Sequence, residues 1–315
     1  MTDRETKPFL TRLPIVAGVA LVCCLLWGSA FPGVKIGYET IGIDAGDWAS
    51  QMVFAGVRFF LAGVMVIVFG SIAGRRLLLP TRQNVPKIGI ISFFQTIAQY
   101  FFYYIGLAHT TGVKGAIIVA ANVFTAILIS SLLYKQEALT ARKLAGCAVG
   151  FAGIVLINAA GLAGARFSLL GDGCVFLCTV ASGFSQVYMK RFSADESPVL
   201  LSGWQFAFGG AVMWLFGAVC GGSIRLEGAA AWGILVYLAF VSAAAYSLWA
   251  MLLQHNPVSR VTVFGFLNPM CGVILSSLLL HERGAFGIVG AVSLLLVCAG
   301  ICIVNVQTKR TKNGR

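Results

Sequence analysis

Two stretches decide the reading of this chain: RFFLAGVMVIVFG at residues 58–70 and QFAFGGAVMWLFG at residues 205–217. Each is an apolar run headed by one polar side chain, Arg58 in the first and Gln205 in the second. A helix of about 20 predominantly apolar residues crosses a hydrocarbon core about 30 Å thick. Both stretches lie in runs of that length, and such runs recur along the whole sequence. Working outward from them gives ten spans: 13–35, 48–71, 87–107, 112–134, 141–159, 169–190, 198–220, 229–252, 258–280 and 285–305. The connections are short and leave no room for a soluble domain. The expected class is an all-α polytopic membrane protein.

Composition points the same way. Apolar residues make up 58% of the 315 and charged ones only 11%, whereas about a quarter of a soluble domain is charged. The formal charge of +12 suggests nucleic acid at first sight. The basic residues, however, lie in loops and tails, and none forms a stretch interleaved with aromatics in a soluble module. The expected surroundings are a lipid bilayer, with no nucleic-acid partner. Arg4, Lys7, Arg12, Arg75, Arg76, Arg82, Lys87, Lys135, Arg142, Lys143, Lys190, Arg191, Arg260 and Lys309 to Arg315 all fall on one side of the ten-span scheme. Only Lys35, Lys114, Arg166, Arg225 and Arg283 fall on the other. The positive-inside rule then puts the tails, 1–12 and 306–315, in the cytoplasm of a cell (inner or plasma) membrane protein. A basic start followed by an apolar stretch from Leu13 imitates a signal peptide. The stretch runs on through Phe31 without a clean small-x-small site, so it reads as a retained first span. All nine cysteines lie in apolar runs and read as small packing residues, with no disulfide framework or metal spacing.

The doubled stretch belongs to a longer echo. SAFPGV (29–34) answers SGFSQV (182–187). Tyr100 aligns with Tyr246, Tyr103 with Trp249, His109 with His255, Lys114 with Arg260 and Asn122 with Asn268. Ser130-Ser131 aligns with Ser276-Ser277 and Glu137 with Glu282, and AGIVLIN ending at Asn158 answers AGICIVN ending at Asn305. Each half, 13–159 and 169–305, carries five spans. Five is odd, so the second half enters the membrane from the opposite side, giving two inverted five-helix repeats as in many secondary transporters.

LLWGSAFPGVK in the first span, RFFLAG in the second, GLAHTTGVKGAIIVAANVFTAILISSLLYKQE and LNPMCGVILSSLLLHE are similar to the EamA family of the drug/metabolite transporter superfamily. The resemblance covers nearly the whole chain, in two copies. It implies a secondary transporter, with export as the direction; the family's cargoes range over amino acids and other metabolites.

Polar side chains at membrane depth are costly and mark candidate sites. Arg58 lies about ten residues into its span, near the midplane at about 1.5 Å per residue. It is either a structural arginine on backbone carbonyls or helix ends, or a fixed charge that attracts a carboxylate. Gln95, Gln99 and Tyr103 share one helical face at i, i+4, i+8, and Tyr246 and Trp249 share another with Ser242. Asn122 and Asn268 are repeat-equivalent, and Pro269 removes a backbone donor beside Asn268; helix–helix contact is the alternative role for both. Trp27 and Phe31 share a face of the first span, with Ser29 and Pro32 beside them, and the resemblance favours a cavity role for Trp27. Trp27, Ser29, Phe31, Arg58, Gln95, Gln99, Tyr103, Asn122, Tyr246, Trp249 and Asn268 form the candidate substrate site.

Glu137 and Glu282 are too shallow for that site and read as ends tied to neighbouring loops. His109, His255 and His281 lie near the membrane surfaces, and neither a metal nor a cofactor is expected. No span carries an acid near its middle; Asp172, a few residues into the sixth, comes nearest. Exporters of organic cations that trade protons on a buried carboxylate are therefore disfavoured. The sequence reads as a transporter of a small polar metabolite, such as an amino acid or related carboxylate, moved by alternating access. Drug or toxic-compound efflux is the alternative, and a non-transporting receptor is a further one. A membrane-embedded enzyme would need a catalytic constellation that the sequence lacks. A homodimer is retained as a possible assembly.

Overall fold

The structure is a computed structural model and describes residues 9–44, 46–159, 167–279 and 288–306. Ten apolar helices are long enough to cross a bilayer: α1 (Leu13–Ile41), α2 (Trp48–Gly74), α3 (Val85–Ala108), α4 (Lys114–Leu133), α5 (Ala141–Asn158), α6 (Leu169–Phe192), α7 (Pro198–Val219), α8 (Gly228–His255), α9 (Val258–Leu275) and α10 (Ile288–Asn305). Several outrun the spans read from sequence. α1 continues to Ile41 with Pro32 inside it and ends at Gly42 in the left-handed region, φ 75°. Proline removes one donor, and the apolar faces on either side of it stay packed.

The major helix interfaces join the two halves. α2 packs on α7, α5 on α10, α1 on α8 and α9, and α6 on α3 and α4. Exchanging the halves maps this set onto itself: α2–α7 and α5–α10 are self-partnered, and α1 on α8 and α9 becomes α6 on α3 and α4. The helices follow the inverted-repeat arrangement.

The doubled stretch forms the closest of these seams. A Cβ at Gly63 would stand 2.3 Å from the Ala207 backbone nitrogen, and one at Gly210 would stand 2.3 Å from that of Phe60. Water drives no association between apolar helices inside a bilayer, so close backbone approach at small residues supplies the packing instead. Phe59 and Phe206 stack across this seam at 5.3 Å, their planes 5° apart.

Three helices are irregular near the centre of the molecule. α3 contains a π-helical turn at Phe93–Ala98. α4 is interrupted between Gly112–Ala120 and Asn122–Leu128. α9 passes through a 3₁₀ turn at Val263–Phe266 before Leu267. The interruptions in α4 and α9 thus fall just ahead of repeat-equivalent Asn122 and Asn268. Irregular backbone at membrane depth is tolerated where protein or a cavity receives it.

Candidate functional site

A cavity of about 800 Å³ lies between the halves, walled by α1, α2, α3, α4, α6, α8 and α9 with Asn158 at the end of α5. Trp27, Phe31, Arg58, Gln95, Gln99, Tyr103, Asn122, Tyr246, Trp249 and Asn268 all stand on its wall. Ser29 does not. Its hydroxyl donates to Leu26 O at 2.7 Å and accepts from Tyr237 Oη at 2.6 Å. Two residues along a helix turn about 200°, so Ser29 points away from the face shared by Trp27 and Phe31.

Arg58 is only 6% exposed. Its guanidinium lies 4.4 Å from the centroid of the Phe59 ring, and Nε has no hydrogen-bond partner. No Asp or Glu pairs with it among the described residues, and the cavity wall contains none. A buried arginine with unused donors, facing a cavity without an acid, is a ready receptor for an anion. Tyr100 and Tyr246 lie close by, their hydroxyls 3.2 Å apart.

An aromatic cluster adjoins them. Trp27 meets Tyr246 and Trp249 edge-on, each with ring centroids 5.0 Å apart. The Trp27 indole N–H is buried without a partner, as are Gln99 Oε1 and Asn268 Oδ1. Asn122 differs from Asn268: its Oδ1 accepts from Gln186 Nε2 at 3.1 Å, and Gln186 Oε1 accepts from the Trp249 indole at 3.2 Å.

Sequence reasoning did not select Gln186, Tyr100, Tyr38 or Tyr104, all of which line the cavity. The alignment of Tyr100 with Tyr246 was a usable signal for the first tyrosine. Gln186 lies one turn beyond Ser182 on the α6 face toward the cavity, but the sequence echo pairs it with Gly33, which packs on Leu238 and Tyr237 off the wall, so the echo did not point to it.

The acids set aside as shallow are tied down elsewhere. Asp172, 4% exposed, accepts from Lys114 Nζ at 2.5 Å, Thr110 Oγ1 at 2.5 Å and the Ser168 amide at 2.9 Å. Glu137 accepts from the Ser259 amide at 2.8 Å, the Ser259 hydroxyl and Lys143 Nζ at 2.7 Å. Glu282 and His281 lie outside the described residues. The remaining histidines bond backbone within their own helices, His109 to Ile105 O and His255 to Met251 O.

Known proteins share this architecture. A solved structure described as "Crystal structure of protein" superposes with a TM-score of 0.74 at 18% identity, over 92% of this chain and 96% of that one; it bears on the fold alone. An uncharacterized transporter of Bacillus subtilis, YvbV, is 24% identical over 91% of this chain and 90% of its own length. A probable amino-acid metabolite efflux pump of Escherichia coli is 24% identical over 84% of this chain and 87% of its own. The model of the EamA-like transporter family matches residues 15–159 and again 169–306. Two matches to one family model, ten apolar helices among the described residues and a cavity between the halves establish the chain as a multi-pass membrane transporter that belongs to the EamA-like transporter family.

Proposed function

We propose that the protein exports a small polar metabolite with a carboxylate, an amino acid or a close relative, by alternating access through the central cavity. The observation that carries this reading is Arg58, buried on the cavity wall with unused donors and no acid beside it. A carboxylate supplies the missing acceptor. Trp27, Tyr246 and Trp249 wall the apolar part of the cargo, while Gln95, Gln99, Tyr103, Asn122 and Asn268 meet its polar groups and Phe31 flanks the entrance. The Escherichia coli relative is a probable amino-acid metabolite efflux pump, which supports both cargo class and direction. In this reading the repeats, 13–159 and 169–305, move against each other about the glycine seam, and both termini are cytoplasmic.

The decisive measurement is counterflow in proteoliposomes with a mixture of the proteinogenic L-amino acids, read by mass spectrometry. Wild type exchanges at least one of them above empty liposomes, and Arg58→Gln, which copies Gln205 of the other repeat, loses that exchange while inserting normally. A charge-assisted hydrogen bond contributes about 1.5–3 kcal/mol, so apparent affinity falls by about ten- to a hundredfold. Normal exchange by Arg58→Gln would remove the basis for a carboxylate cargo. Orientation is checked separately in a background without accessible native thiols. Asp44→Cys is labelled from outside intact cells and Arg82→Cys is not; labelling of Arg82→Cys from outside reverses the assignment.

A further inference from the structure

The two repeat-equivalent asparagines face the same cavity with different freedom, and the cause is one glutamine. The Trp249 indole carries a donor and no acceptor. The atom of Gln186 that meets it at 3.2 Å is therefore the oxygen. That choice leaves the Gln186 nitrogen toward Asn122, at 3.1 Å from the asparagine side chain. A nitrogen donor requires an acceptor, so Asn122 must present its Oδ1 there. Amide orientation is ordinarily ambiguous at the level of atom positions; here the indole at the head of the chain removes the ambiguity. Asn122 is left with its Nδ2 unused, on a cavity-lining residue. Asn268 has no such chain: its Oδ1 is buried without a partner, and its amide is free to turn either way.

We infer that Gln186 is a positioning residue that fixes Asn122 as a dedicated N–H donor, so that Asn122 joins Arg58 in a donor set for the anionic end of the cargo. Asn268, unlocked, accommodates donors or acceptors elsewhere on the molecule. The asymmetry is built into the two helices: the α1 residue that stands on the cavity wall where Gln186 stands on α6 is Phe31, which packs on Gly272 and has no polar group to lock Asn268. The lock also spans three helices: Trp249 is on α8, Gln186 on α6 and Asn122 on α4 at its interruption. The donor role rests on the carboxylate reading proposed above; the lock itself does not.

Two measurements separate them. The first needs no cargo. In protein labelled with ¹⁵N-tryptophan, the Trp249 indole resonance is assigned by its loss in Trp249→Phe. Gln186→Leu shifts it toward the value of an unbonded indole, whereas Gln205→Leu leaves it in place. A Trp249 resonance unmoved by Gln186→Leu overturns the lock. The second uses the amino-acid mixture in proteoliposomes. The probe is whichever amino acid wild type exchanges, with its α-carboxamide as competitor. Gln186→Leu and Asn122→Ala each raise the KM for the carboxylate form several-fold, with maximal rate less affected. Each also narrows the preference for carboxylate over carboxamide. The double variant is no worse than Asn122→Ala alone, because Gln186 acts through Asn122. Additive losses overturn the positioning role. If wild type exchanges no amino acid, the carboxylate reading and the donor role fall together, while the indole resonance still decides whether the lock exists.

Discussion

The two membrane faces of the molecule are built unequally. On the basic face, the connection between α4 and α5 is stitched across to the second half. Tyr134 Oη donates to Tyr188 Oη at 2.6 Å, Gln136 Nε2 to Val187 O at 3.3 Å, and Glu137 holds the start of α9 through Ser259. Lys190 donates to Gln254 O at 2.9 Å and Asn256 Nδ2 to Leu10 O at 3.0 Å. On the other face, Val34, Lys35 and Tyr38 of α1 line the cavity. Lys35 is both exposed and part of the cavity wall, so the cavity reaches the surface there. Below, Met189 and Leu253 lie on the wall next to the stitched layer. The difference teaches what the two-fold exchange of halves hides: among the described residues, the cavity is closed by the stitched layer at one end and reaches the surface at the other. Under the topology and alternating access proposed above, this is the outward-facing member of the pair.

The harshest way to break the comparison is to break the axis both faces share. Gly63→Leu places a side chain where the Ala207 backbone already stands, and overpacking of this kind costs about 3 kcal/mol or more. The expected outcome is loss of the monodisperse species in size-exclusion chromatography, with neither face recoverable. Next comes the latch on the basic face. Glu137→Gln removes the charge that holds Lys143 and weakens the grip on Ser259, by about 2 kcal/mol. Met189→Cys in that background, labelled by an impermeant maleimide from the basic side, then reacts about tenfold faster; an unchanged rate would show that the stitching is not what closes this face.

Asp172→Asn sharpens the contrast. It loosens a tie on the opposite face, so it leaves Met189→Cys labelling from the basic side unchanged. It also leaves transport without an imposed-pH response: Asp172 is held by Lys114 and Thr110, outside the cavity, and is not placed to carry a proton. Accumulation driven by a pH gradient at zero potential that vanishes in Asp172→Asn would contradict this. The smallest effect belongs to Tyr134→Phe. One neutral hydrogen bond contributes about 1 kcal/mol, and the expected change in Met189→Cys labelling is a few-fold, in the same direction as for Glu137→Gln.

Much of this was legible in the sequence. Ten apolar runs of spanning length, the echo between 58–70 and 205–217, and the odd number of spans per half led to the arrangement without coordinates. Face periodicity also brought together most of the cavity wall, because i, i+4 spacing survives even the π-helical turn that carries Gln95. Ser29, included with Trp27 and Phe31 because it lies between them in sequence, points off the cavity wall. The interruption before Asn122 left no trace, since VAANVF contains neither glycine nor proline, whereas Pro269 marked its counterpart. The role of Gln186 was out of reach for a different reason. Its partners lie 64 positions before it and 63 after it, and helix spacing says nothing about side chains that meet across three helices.

The interleaving of the halves has a consequence for how the chain is made. A ribosome delivers α1 long before α8 and α9, the helices it packs against, and delivers α2 before α7. During synthesis the first five helices therefore wait in the bilayer with their largest contact surfaces unfilled, and the seam that organises the molecule closes only when the second repeat arrives. A chain stopped after residue 159 leaves those surfaces facing lipid.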